Sequence, residues 1–274
     1  MSSNSAKVSI IIVTHNSELF MENLLKNIDY NCDVIIVDSG STSTDYLYKV
    51  KKEYCFRLIE LENVGFAKAN NIGYRTVDDS TDFVVFVNPD LFLSKGWLQH
   101  AIDFMSQSDN QDVAVFSSAL ERYDINSNCS QGVYDSLGIG RKIFWYDIGQ
   151  GESIKAYDSK RSIVEREAIC GALMFCRKKS LDEVSVGGEV FWEKLFMYKE
   201  DIELSLRLRK KKYRLCIDVN SVNFHCRGWK DRKTVPKWAK LISARNDLLI
   251  SWKYNLYSLP VFFIKYLYVK LIEK

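Results

Sequence analysis

The sequence predicts an α/β protein with a mostly parallel central sheet flanked by helices and a helical tail, and three observations carry that prediction. Short β-branched apolar runs alternate with stretches of helical spacing along the first part of the chain. Each of those runs ends in a polar turn rich in Ser, Thr, Asn, Asp or Gly. From Trp238 onward the character changes to aromatic residues interspersed with Lys.

The elements follow in order. Residues 1–6 are small and polar, a disordered leader. Val8 to Val13 is a continuous strand-like run ending in Thr14-His15-Asn16-Ser17. Leu19, Phe20, Leu24, Leu25 and Ile28 then recur at helical spacing, with Asn16 or Ser17 as cap. Val34 to Val37 is a second strand, closed by Asp38-Ser39-Gly40-Ser41. A helix from Asp45 to Lys52, a strand around Arg57–Leu61 and a helix opening near Asn63-Val64-Gly65-Phe66 come next. Phe83 to Val87 reads as a strand buried on both faces, stopped by Asn88-Pro89 because Pro lacks an N–H and pushes its predecessor toward extended geometry.

Parallel strands joined by right-handed crossovers have their carboxyl ends on one edge. That edge collects Thr14–Asn16, Asp38–Gly40 and Asn88–Asp90, and three polar turns together suggest a nucleotide site. Asp38 could accept hydrogen bonds from a base or ribose, or it could simply begin a capped turn. Asp90 could hold a divalent cation against a diphosphate, or close an Asn-Pro-Asp turn with no chemistry. The GxGxxG dinucleotide fingerprint and the Walker A loop are both absent. A phosphatase-type Asp-x-Asp after the second strand fails because the second acid is replaced by Gly40.

Composition excludes several classes. The 274 residues carry a formal charge of only +3, without a basic block or an aromatic-basic ladder, so nucleic acid is not an expected partner. Seven scattered Cys without CxxC pairs, and an N-terminus without a signal-like apolar segment, predict reduced thiols in a cytoplasmic protein. Cys216, His225 and Cys226 lack a zinc-site spacing. No apolar window is long enough for an ordinary transmembrane helix.

In the second half, Val113–Phe116 precedes a stretch, Glu121–Glu165, without clear period. Such a long internal segment is functional or partly structured. It contains Phe144-Trp145-Tyr146, whose faces could stack on sugars or form a satellite cluster. Ala168 to Phe175 reads as a strand with Gly171 inside it. Glu200-Asp201 opens a helix over Ile202–Lys211; negative charge is favoured there in any case, and one of these carboxylates could also take a proton from an attacking hydroxyl. His225 follows a strand Arg214–Val219 and a short Asn220–Phe224 stretch, and a lone His is commonly a structural hydrogen-bonder.

In series, Ile11-Ile12-Val13-Thr14-His15-Asn16-Ser17, Val37-Asp38-Ser39-Gly40-Ser41, Asn63-Val64-Gly65-Phe66-Ala67-Lys68-Ala69-Asn70-Asn71, Asn88-Pro89-Asp90, Gly171-Ala172-Leu173-Met174 and Phe196-Met197-Tyr198-Lys199-Glu200-Asp201 resemble a family-2 inverting glycosyltransferase of the GT-A fold. The likeness is greatest to rhamnosyltransferase-like members of bacterial polysaccharide biosynthesis. It implies a catalytic domain over 1–237, with a nucleotide-binding half (7–118) and an acceptor half (119–237), followed by the tail 238–274. It also implies transfer of a sugar from a nucleoside-diphosphate donor, dTDP-rhamnose being favoured over a UDP-hexose. The acceptor it implies is a lipid-linked saccharide, in O-antigen- or capsule-type assembly. Thr14, His15, Asn16, Asp38, Ser39 and Gly40 would hold the nucleoside. Asn63, Gly65, Phe66, Lys68 and Asn71 would line the donor, with Asn88, Pro89 and Asp90 at its diphosphate.

The same likeness makes Asp201 the general base and Glu200 its orienting neighbour, with Gly171, Ala172 and Trp145 toward the acceptor. Asp90 and His225 would ligate a divalent cation, Mg2+ or Mn2+. Two departures stand out: Asn88 replaces the first acid of the usual Asp-x-Asp, and Gly187-Gly188-Glu189-Val190-Phe191-Trp192-Glu193 replaces the usual Gly-Gly-Phe-Asp-Glu. Arg227, Lys230, Arg232 and Lys233 could shield the diphosphate or form a solvated loop. The tail reads as interfacial, on the cytoplasmic face of the inner membrane, against the competing reading of packing on the catalytic domain or a second subunit. A rival of another class is a non-catalytic sugar-nucleotide-binding subunit of a synthase complex.

Overall fold

The computed structural model describes residues 6–154, 162–227 and 232–273. The first part alternates as its sequence dictates: Val8–Thr14 (β1), Met21–Lys26 (α1), Asp33–Ser39 (β2), Asp45–Val50 (α2), Arg57–Leu61 (β3), Phe66–Tyr74 (α3) and Phe83–Val87 (β4). Parallel pairing joins β1 to β2 and β4, and β2 to β3. Along β1, Ile10 and Ile12 enter one core with Leu24, Trp97 and Phe175, while Ile11 and Val13 enter the other with Ala67, Phe86 and Leu204. Burial of both faces is why β1, β2 and β4 carry consecutive apolar residues instead of an apolar–polar alternation.

The remainder comprises Leu91–Phe92 (β5), Trp97–Ser106 (α4), Val113–Asp124 (β6), Cys129–Ser136 (β7), Ile139–Arg141 (β8), Trp145–Asp147 (β9), Ile163–Glu165 (β10), Leu173–Arg177 (β11), Lys178–Val184 (α5), Glu200–Lys210 (α6), Arg214–His225 (β12), Lys237–Tyr254 (α7) and Leu259–Leu271 (α8). The sheet runs β10-β12-β6-β11-β4-β1-β2-β3, with β7 on β6 and β5 on β12. β11 is antiparallel to both β4 and β6, so the sheet is mixed.

Several local readings change. The first helix has no side-chain cap. Asn16 sits in left-handed backbone (φ 50°) and accepts the Thr42 N–H at 2.8 Å, while Ser17 bonds back to His15; turn chemistry takes both groups before the helix begins. The strand expected over Ala168–Phe175 starts only at Leu173, because the Gly171 N–H donates to Asp201 Oδ2 at 2.9 Å instead of to a neighbouring strand. In Glu121–Glu165, β6 continues to Asp124 and pairs with β7, and β8 and β9 form a hairpin; residues 155–161 of this stretch lie outside the described residues. The two pieces expected around Asn220 are one strand, β12, with a register shift between Asp218 and Val222.

The tail is fastened to the rest of the chain. Lys253 Nζ donates to the buried Glu203 at 2.8 Å and stacks over Trp192 at 4.2 Å, and the Tyr254 hydroxyl also donates to Glu203. α8 folds back on α7, with Lys265 Nζ donating to Asp247 Oδ2 at 2.5 Å, buries Phe262 against Phe144, and leaves Phe263, Ile264, Tyr268 and Leu271 exposed. Among the described residues, no helix is long and apolar enough to cross a membrane.

Candidate active site at the strand ends

The turns after β1 and β2 are knitted into one shelf. Thr14 and Asp38 are register partners; Thr14 Oγ1 donates to Asp38 Oδ2 at 2.9 Å, and the Ser41 N–H donates to Oδ1 at 2.9 Å. Asp38 is 1% exposed, so its carboxylate builds the turn, and the groups offered to solvent are His15 and Asn16. His15 Nδ1 lies 2.9 Å from the Ser39 carbonyl oxygen, which assigns the proton to Nδ1. Ser39 Oγ accepts the Val64 N–H at 3.1 Å. Gly40 has φ +75°, and a Cβ there would lie 2.6 Å from the Asn63 nitrogen, so only glycine allows these two loops to meet.

The loop before α3 continues the shelf. Gly65, at φ +80°, lies so close beneath the Phe196 ring that a Cβ would enter it, and the Ala67 N–H donates to the Phe196 carbonyl at 3.0 Å. Asn63 and Lys68 are exposed, whereas Phe66 packs edge-on against Phe191 at 6.3 Å. Asn71 is fully buried and does not line an open surface. Its Oδ1 accepts the Phe191 N–H at 2.9 Å and its Nδ2 donates to the Phe191 carbonyl at 2.8 Å, so the amide joins α3 to the Gly187–Glu193 segment.

Past β4, Asn88 donates its backbone N–H to the Ala172 carbonyl at 3.0 Å. After Pro89, Asp90 Oδ1 lies 3.4 Å from His225 Nε2, because Leu91 and His225 are register partners across β5 and β12. Behind the imidazole, Nδ1 is 2.8 Å from Asp135 Oδ2. Burial disfavours the imidazolium, but the carboxylates of Asp90 and Asp135 outweigh burial and raise the His225 pKa to about 10. Asp135 is likewise opposed by burial, yet His225 and Arg227 hold it well below the usual carboxylate range. Arg227 Nη1 donates to Asp135 at 2.8 Å and sits 3.6 Å from Asp147, so its charge is committed to these acids. Lys230 and the side chain of Arg232 lie outside the described residues.

On the far side of the Ala172 link lies the acidic pair. Asp201 Oδ2 accepts the Gly171 N–H at 2.9 Å and Oδ1 the Ile202 N–H at 2.8 Å; both bonds favour the ionised form against the burial that raises its pKa. Glu200 has an unpartnered Oε2, and burial first, then the Asp201 charge, raises it to about 8. Near neutral pH the pair therefore holds one proton, chiefly on Glu200. Because Glu200 binds its proton more tightly folded than unfolded, its contribution to stability is present below pH 4.5 and is lost as pH rises through about 8. Glu200→Gln is accordingly expected to raise the melting temperature at pH 8.5 and to leave it unchanged near pH 4, by thermal melts across that range.

Two buried side-chain atoms at this edge, Asn88 Oδ1 and Glu200 Oε2, have no hydrogen-bond partner, and a third, His225 Nε2, has only the 3.4 Å ion-pair contact with Asp90. Orphaned polar atoms are rare in folded interiors, and these three on adjoining loops mark a place shaped for a polar ligand. The same observation tests a cation. His225 Nε2 faces Asp90 while Asp135 holds Nδ1–H, so a cation that displaced the Nε2 proton would meet a carboxylate and an imidazole oriented by an outer carboxylate, and these residues fit Mg2+ or Mn2+. No cluster of three such donors exists among the described residues, so the protein by itself would not complete a coordination shell. Trp145 is half-buried near Ala168 and Ile202, with the Arg141 guanidinium 5.1 Å above its ring, so it supports the wall beside Asp201.

Sequence reasoning finds neither Asp135 nor the role of Asn246 described below. Asp135 lies in a stretch without hydrophobic period, and its partners His225 and Arg227 are remote in sequence.

A shelf of polar turns, a carboxylate–imidazole pair and a buried acidic pair thus occupy one sheet edge of a GT-A-like fold. Residues 9–132 match the model for Glycosyl transferase family 2. It is 27% identical over 216 residues to the rhamnosyltransferase WbbL of Escherichia coli (strain K12), covering 73% of this chain and 76% of that one. It is 28% identical over 118 residues to the minor teichoic acid biosynthesis protein GgaA of Bacillus subtilis (strain 168), covering 39% of this chain and 26% of that protein. Among solved structures, S. aureus TarS 1-349 superposes with TM-score 0.55 at 16% identity, over 96% of this chain and 71% of that one. GalNAc-T7 with UDP, GalNAc and Mn2+ superposes with TM-score 0.65 at 12% identity, over 97% of this chain and 57% of that one. At these identities the structural likeness is one of fold.

Proposed function

We propose that this glycosyltransferase inverts the anomeric centre of a nucleoside-diphosphate sugar, with dTDP-rhamnose as donor and a lipid-linked saccharide as acceptor, in O-antigen- or capsule-type polysaccharide assembly. The observation that carries the reading is the continuity of Asn88 Oδ1, Glu200 Oε2 and His225 Nε2. Asn88 N–H···Ala172 and Gly171 N–H···Asp201 join the diphosphate side to the acidic pair through adjacent backbone groups. The likeness to a rhamnosyltransferase supports the choice of sugar.

In this reading the nucleoside lies on the shelf of His15 and Asn16, over the turn that Asp38 builds. An acceptor hydroxyl beside Asp201 loses its proton to the carboxylate as its oxygen bonds to the anomeric carbon, and the bond from that carbon to the diphosphate oxygen breaks. Gly171 and Ile202 hold the carboxylate by its two oxygens, which fixes its direction. Asp90 and His225 would hold the divalent cation, which supplies neutralisation of the leaving diphosphate when bound. A panel of dTDP-rhamnose, UDP-glucose and UDP-GalNAc, assayed with Mn2+ for nucleoside-diphosphate release that depends on added acceptor, tests this. Release from dTDP-rhamnose above the UDP sugars is expected; a preference for a UDP-hexose would reassign the donor.

The tail fits the inner-membrane face in the same reading. Phe263, Ile264, Tyr268 and Leu271 are exposed on α8, with Lys270 nearby. Phe263→Ser with Ile264→Ser is expected to move the protein off anionic vesicles in a flotation assay without changing its melting temperature. Equal flotation of variant and parent would contradict a membrane role for α8.

A further inference from the structure

The acidic pair is set by a loop whose backbone is unusual. Six non-glycine residues have positive φ among the described residues, and three of them, Phe196 (64°), Tyr198 (68°) and Lys199 (71°), fall in the four positions just before Glu200. Left-handed backbone at bulky residues persists only where surroundings impose it. Lys199 is the residue that launches α6, so the path of this loop decides where Asp201 stands.

What imposes it comes from the tail. Asn246, in the middle of α7 and fully buried, donates from Nδ2 to the carbonyls of Leu195 (2.8 Å), Met197 (2.9 Å) and Tyr198 (2.8 Å). An amide nitrogen has two hydrogens, so one is shared between two of these carbonyls. The other end of the amide is fixed as well: Asn246 Oδ1 accepts from Arg245 Nε at 3.1 Å and Nη2 at 2.9 Å, and Nη2 also reaches the Lys194 carbonyl at 2.9 Å. A guanidinium can only donate, so it holds the oxygen toward itself and the NH2 toward the loop.

We infer that Asn246, oriented by Arg245, is a positioning residue for the general base, holding residues 195–199 in the left-handed path that sets Glu200 and Asp201. The inference rests on the catalytic reading of Asp201 above. It also makes the tail part of the active-site architecture: α7 adds the Asn246 bonds to the backbone turns the segment makes for itself. The same loop touches the donor shelf through Ala67 N–H and the Phe196 carbonyl, so one amide couples the two halves of the site.

The test uses the full-length chain with Asn246→Ala, which removes the donors, and Arg245→Ala, which keeps the amide but frees its orientation. Asn246→Ala is expected to lower kcat about 10–100-fold, with donor KM changed by less than about threefold. Amide hydrogen exchange at Gly171 and Ala67, whose N–H groups bond the acidic pair and the loop, is expected to speed up by about tenfold or more while β1, β2 and β4 exchange as before. Arg245→Ala should give the same pattern at smaller size. A kcat within twofold of the parent, or exchange that rises equally in the strands, would overturn the inference. The exchange measurement needs no turnover, so a protein that transfers no sugar would defeat the functional reading while the loop's fastening is still judged. Asn246→Ser, which keeps one donor, replaces the alanine variant should that one not fold, and is expected to show the same local exchange change.

Discussion

Asp201→Asn is expected to lower kcat for sugar transfer by about 10²–10⁴-fold, the range that general-base assistance supplies. The substitution keeps size and most of the packing. It removes the acceptor of the hydroxyl proton, and one of the two backbone donors, Gly171 N–H or Ile202 N–H, must then face an NH2 group. Affinity for the nucleoside diphosphate, measured by calorimetry, should be little changed, since the shelf of His15, Asn16 and Asp38 lies on other loops. Glu200→Gln separates the neighbour from the base. Gln keeps the uncharged side chain that a protonated Glu200 presents, so much of the rate should survive at neutral pH, while the change in kcat that follows Glu200 ionisation near pH 8 should disappear. A profile unmoved by Glu200→Gln would mean that the two acids do not share a proton.

The second large effect is expected at Asp135→Asn, outside the set of residues that would touch the cation. Asp135 accepts the proton on His225 Nδ1 and thereby leaves Nε2 free to face Asp90. An asparagine can turn its NH2 toward Nδ1, moving the imidazole proton to Nε2 and closing the ligand position. Loss of such an outer carboxylate costs about 10–100-fold in metal affinity or activity. Mn2+ titration followed by electron paramagnetic resonance should show the weakened binding, and excess Mn2+ should restore part of the transfer rate. Identical Mn2+ dependence in parent and variant would remove the cation from the Asp90–His225 pair.

How much of this was legible in the sequence follows from what each feature depends on. β1, β2 and β4 were readable because burial of both faces demands unbroken apolar runs, and their polar ends then had to share one edge. The position of Asp90 followed from Pro89 ending β4. The role of the Asp38 carboxylate did not follow: whether it meets a ligand or its own turn depends on Ser41 and Thr14, and the turn holds it. Gly171 read as a strand residue because its neighbours are apolar, while its N–H is diverted by an acid thirty residues later. Asp135 and Asn246 were illegible for the same reason: each acts on a partner remote in the chain, through hydrogen bonds that leave no local pattern. The tail's composition read as interfacial, with packing on the catalytic domain or a second subunit as the rival. α7 packs through Asn246 and its neighbours, and α8 keeps the exposed apolar side.

The most direct measurement is a crystal structure of the protein with dTDP and Mn2+. The account predicts an anomalous Mn2+ peak in contact with Asp90 and His225 Nε2, the diphosphate beside Asn88, and the base on the turns carrying His15 and Asn16. Nucleotide bound away from that edge, or a metal peak that avoids both Asp90 and His225, would contradict it.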